Sequence, residues 1–72
     1  MLTLTFNTQE KTVKITNDKD FILKTYDNVP TVKVRNEGYY EIMQKQTEYD
    51  ESTSIPVCRL PIQNTLMFIE KI

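Results

Sequence analysis

The sequence predicts a mainly β fold: a small antiparallel barrel or rolled sheet of five to six strands, with one short helix at about residues 18–26. Three observations carry this reading. Alanine is absent and glycine occurs once, while threonine, isoleucine and valine are frequent. The chain thus lacks the best helix former and is rich in residues that suit a pleated, half-buried surface. Short runs alternate apolar with polar residues, the period of a strand with one covered face. Two pairs of such runs flank short polar loops, as the arms of hairpins do.

The first pair joins Leu2, Leu4 and Phe6 to Val13 and Ile15. A four-residue loop, Asn7 to Glu10, sets Phe6 opposite Lys11, Leu4 opposite Val13 and Leu2 opposite Ile15. The leucines and their partners then share one face. Next, Asn17 offers a helix cap, and Asp18 and Asp20 suit the positive end of a helix dipole. A helix over 18–26, preferred here to a strand over the same residues, places Phe21 and Ile22 on the sheet. Asp27-Asn28 ends it, and Pro30 holds Val29 extended.

The second pair is Thr31 to Arg35 with Tyr39 to Thr47, around Asn36-Glu37-Gly38. Gly38 falls where a three-residue hairpin loop needs a left-handed backbone. This register sets Val34 opposite Tyr40 and Val32 opposite Ile42 on one side. On the other it sets Arg35 opposite Tyr39, Lys33 opposite Glu41 and Thr31 opposite Met43. Glu48 to Ser54 reads as a polar loop. Val57 to Leu60 is a short strand fenced by Pro56 and Pro61, which belongs at a sheet edge. After a turn at Gln63-Asn64, Leu66 to Ile72 is an apolar strand with large residues on both faces. It is therefore either central or in contact with a partner.

Seventy-two residues fit one domain spanning 1–72, and a chain this short leaves a thin margin of stability. Cys58 is the only cysteine, so no disulfide forms within the chain. With no histidine and no second cysteine, a Cys/His metal site is excluded as well. Extra stability then comes from packing or from a partner chain. The start of the chain lacks the pattern of a signal peptide, and no apolar run reaches the roughly 20 residues that span a bilayer. With one free cysteine, this suggests a cytoplasmic protein with no membrane contact. Residues 1–36 carry six Lys/Arg against four Asp/Glu, and residues 37–72 carry three against six.

Catalytic arrangements fail for want of residues. No histidine is present to activate a serine or cysteine, and no glycine-rich loop is present to cradle phosphates. Asp50 and Glu51 read as solvated loop acids, and Cys58 as a buried thiol. No enzyme, cofactor or metal is expected. The first expectation is a protein-binding module whose partner is a second copy or a larger host protein. Its contacts are Tyr39, Met43, Tyr49, Asp50 and Glu51, since tyrosine is enriched where interfaces concentrate their energy. The alternative is a small barrel that binds single-stranded nucleic acid through Lys14, Lys33, Arg35 and Tyr39, cations for phosphate and a ring for a base. The sequence pI of about 5.3 works against it. A third surface is apolar: Met43, Met67 and Ile69, provided they share an outer face. A further possibility is a structural subunit of a larger assembly. The composition also suits an AT-rich coding sequence. A short chain without catalytic residues resembles the accessory proteins of phages and mobile elements, which implies an inhibitor that modulates a larger protein by occlusion.

Overall fold

The computed structural model describes residues 1–46 and 54–70. Among the described residues seven strands form, in the order β1 (Leu2–Asn7), β2 (Thr12–Thr16), β3 (Ile22–Tyr26), β4 (Thr31–Arg35), β5 (Tyr39–Gln44), β6 (Ile55–Pro61) and β7 (Thr65–Glu70). A 3-10 turn, Ile62–Asn64, precedes β7. The strands divide between two sheets and close no barrel. Sheet one runs β3-β2-β1-β7 and sheet two runs β4-β5-β6. All pairings are antiparallel except β1 with β7, which is parallel. Parallel neighbours need a long crossover. Here the crossover is sheet two itself: the chain leaves sheet one after β3, builds β4 to β6, and returns beside β1.

The inner faces of the two sheets share one core. Leu4, Phe6, Val13 and Ile15 come from sheet one, Ile42 and Leu60 from sheet two, and Val29 from the connection between them. Val29 is held there by its N–H, which donates to the Lys11 carbonyl at 2.9 Å. The Lys45 N–H donates to Asn28 O at 2.8 Å and Gln44 Nε2 to Asp27 O at 3.0 Å, tying the same connection to the end of β5. Across the core, Tyr26 of β3 meets Cys58 of β6. Burial, and then the thiol beside it, push the Tyr26 phenol above its ordinary value.

The second hairpin forms in the expected register, from Thr31–Met43 to Arg35–Tyr39. Gly38 adopts φ +103° and its N–H donates to Arg35 O at 3.0 Å. The first hairpin is shifted by two residues. Leu4 faces Ile15 and Phe6 faces Val13, and the loop is Thr8 to Lys11. A shift of two leaves every side chain on its expected face, because the strand period is two. The cause is Asn7, whose Oδ1 accepts the N–H groups of Gln9 and Glu10 at 3.0 and 2.9 Å and starts the turn inside the strand. Lys11 closes that turn at φ +58°.

Residues 18–26 are not a helix. Asn17 uses its side chain as a cap does, but for a tight turn: Oδ1 accepts from Lys19 N–H at 2.9 Å and Phe21 N–H at 3.1 Å. Asp20 then sits at φ +62°, a left-handed conformation that a right-handed helix cannot continue through. Ile22 to Tyr26 pair with β2 instead, around a register irregularity at Ile15/Thr16. The cap and the turn use the same Asn chemistry, so the residue alone does not distinguish them. β6 is an edge strand, as its prolines require. β7 is also an edge strand and not a central one.

Candidate functional site

Each sheet has an outer face, and the two faces differ in chemistry. On sheet two, cross-strand register sets Lys33, Glu41 and Arg59 in one row and Arg35, Tyr39 and Pro61 in the next. Glu41 lies at the centre. It is only 2% exposed although it alternates with core residues, because two guanidinium groups cover it. Arg35 donates through Nε at 3.0 Å and Nη2 at 2.7 Å to Oε1, and Arg59 donates through Nε at 3.0 Å to Oε2. These bonds, Arg35 first, hold the Glu41 carboxyl below its ordinary range although burial acts against them. The same contact raises the Arg35 guanidinium. The Arg59 guanidinium also lies 5.1 Å from the centre of the Tyr39 ring, a cation–π distance. An open groove of about 280 Å³ borders this cluster, lined by Pro56, Val57, Cys58 and Arg59.

On sheet one, the alternation that buries Leu4, Phe6, Val13 and Ile15 turns Thr3, Thr5, Lys14 and Thr16 outward. Register places Leu66 beside Thr3, Phe68 beside Thr5 and Ile22 beside Thr16 on this same face. All three apolar residues are about half exposed or more, and Phe21, Leu23 and Ile69 are exposed at the same two edges. β7 pairs with β1 through six consecutive residues without a bulge. Its other side is the edge of the sheet.

The residues expected to act together are separated. Lys33, Arg35 and Tyr39 share the outer face of sheet two, but Lys14 lies on the outer face of sheet one, across the core from them. Glu41 is engaged by the arginines and not by Lys33. Tyr39 is half-buried, with Arg59 over its ring. Met43 is only 7% exposed and stands outside the main core cluster. It therefore offers little contact area, and it does not join Met67 and Ile69, which belong to sheet one. Tyr49, Asp50 and Glu51 lie outside the described residues. Cys58 is half-buried and packs against the core. Arg59 is the member of the sheet-two cluster that sequence reasoning leaves out. Only the β5–β6 register, which pairs it with Glu41, brings it in.

Among the described residues, no group of three or more acidic or cysteine side chains is placed to hold a metal ion. Among the same residues, no helix is long and apolar enough to cross a membrane. Comparison with protein-family models, with curated proteins and with solved structures finds no match to this chain.

Proposed function

We propose that this chain is a non-catalytic protein-binding module that engages its partner through the β7 edge and the outer face of sheet one, and acts by occluding the surface it covers. One observation carries the reading. Leu66 and Phe68 stand exposed on a regular, proline-free edge strand, and Ile22 is exposed on the same face at the opposite edge, across Thr3 and Thr16. A long, flat, apolar edge presents unpaired N–H and C=O groups beside a water-averse surface, a ready template for another strand. Strand addition uses both: main-chain bonds give affinity, and alternate side chains fill pockets. The β3 edge is a poorer template, since its irregular register breaks the row of backbone groups.

The absence of histidine supports a binding role over an enzymatic one. The nucleic-acid reading loses support from the placement of Lys14 and from the arginine lying over Tyr39. The test compares the wild-type chain with Leu66→Lys/Phe68→Lys in sedimentation velocity over a range of concentrations, and in pairwise binding to a partner captured by the wild type. Association by the wild type that the double variant loses is the expected result. Equal association by the two chains would remove the β7 edge from consideration.

A further inference from the structure

We propose that the outer face of sheet two is a recognition site for the phosphate group of a phosphate monoester, held by Arg59 and Lys33 with Arg35 beside them. This site is separate from the sheet-one interface and stands on its own observations. Its centre is the Arg35–Glu41–Arg59 cluster. Glu41 has both carboxylate oxygens occupied, and it fixes the direction of each guanidinium. Arg59 spends only Nε on Glu41, and its side chain is 61% exposed. Its Nη groups make no hydrogen bond to Glu41, and its guanidinium lies 5.1 Å from the centre of the Tyr39 ring. Lys33 stands on the opposite side of Glu41 in the same row, one strand away. Three cations thus surround one neutralised carboxylate. Among the described residues, the other acid acting on the cluster is Glu37, in the β4–β5 turn beside Arg35.

Local charge and orientation favour a compact dianion. Guanidinium groups whose planes are already fixed lose little freedom on bonding a phosphate. The overall net charge of −1 lacks the broad basic field that draws long polyanions, so a single phosphate fits better than a nucleic-acid backbone. Arg59 also borders a groove whose other lining residues are Pro56, Val57 and Cys58. This groove gives the organic part of an ester a place beside the phosphate. Phenyl phosphate should accordingly bind more tightly than inorganic phosphate.

The test is an NMR titration at constant pH and ionic strength, following backbone amides and the Nε–Hε signals of Arg35 and Arg59. The probes are inorganic phosphate, phenyl phosphate, chloride and a single-stranded oligonucleotide. Saturable shifts centred on Arg59, Lys33 and Tyr39 are expected with both phosphates and not with chloride. Arg59→Gln should weaken phosphate binding about tenfold or more, the usual loss for a charge-assisted hydrogen bond. Lys33→Gln, at an exposed position, should weaken it in the same direction with the sheet intact. It therefore answers the question even where Arg59→Gln fails to fold. Shifts no larger than those with chloride overturn the site. So does a response to the oligonucleotide alone, or phosphate affinity unchanged in Lys33→Gln and in a folded Arg59→Gln.

Discussion

Replacing Ile42 with alanine tests how sheet two is held on sheet one. Ile42 is fully buried at the centre of β5, the middle strand of its sheet, and belongs to the core cluster shared with Leu4, Phe6, Val13 and Ile15. Truncating a fully buried isoleucine costs about 2–5 kcal/mol, a transfer contribution plus the cavity left behind. A 72-residue chain has a total stability of roughly 4–11 kcal/mol at typical values per residue. The variant should therefore lose a large fraction of it, read as a fall in the urea midpoint at constant slope. Val34→Ala is the matched control. Val34 sits in the neighbouring strand and is apolar in the sequence pattern, yet it is 64% exposed. Its loss should stay within about 0.5 kcal/mol. Similar losses at the two positions, or a loss at Ile42 below about 1 kcal/mol, would refute the view that the two sheets share one core.

Three further outcomes are expected. Gly38→Ala should destabilise by about 1–2 kcal/mol through backbone strain, since Gly38 lies at φ +103° with open space where a Cβ would sit. D-alanine introduced there by synthesis should not destabilise, and urea melts of both variants check the pair. Asn17→Ala should cost about 1–2 kcal/mol through the loss of two accepted N–H bonds, each worth about 0.5–1.5 kcal/mol net, whereas Asn17→Asp should retain most of that stability. Glu41 has a carboxyl below its ordinary value near 4.5 when folded, so its contribution is fully present above that value and is lost as pH falls through it towards the folded value. Thermal melts from about pH 6 to pH 2 should show that decline, and Glu41→Gln should flatten it. An equally steep decline in the variant would assign the acid sensitivity elsewhere.

What the sequence determines by itself is local. The second hairpin is legible to the residue pair, because Gly38 fixes the loop and the alternation on both arms admits one register. The faces of β1 and β2 are legible too, even though Asn7 shifts their pairing by two, because a shift of two preserves the faces. The prolines of β6 announce an edge. The apolar residues on both faces of β7 signal either a central strand or a contact surface, and the sheet order excludes the first by placing β7 at an edge. Tertiary structure decides the rest. Residues 22–26 extend β2 because its ladder side is open to them, and Asn17 caps a turn as readily as a helix. Nothing in the alternation says that β7 returns parallel to β1, since that pairing depends on where sheet two packs. The candidate sites depend on the same packing. Lys14 and Lys33 both alternate outward, but on sheets whose inner faces meet, so they stand on opposite sides of the core. Arg59 joins Arg35 only because both reach Glu41 across β5. Sequence patterning assigns each side chain to a face, and only the packing of one sheet on the other decides which faces become neighbours.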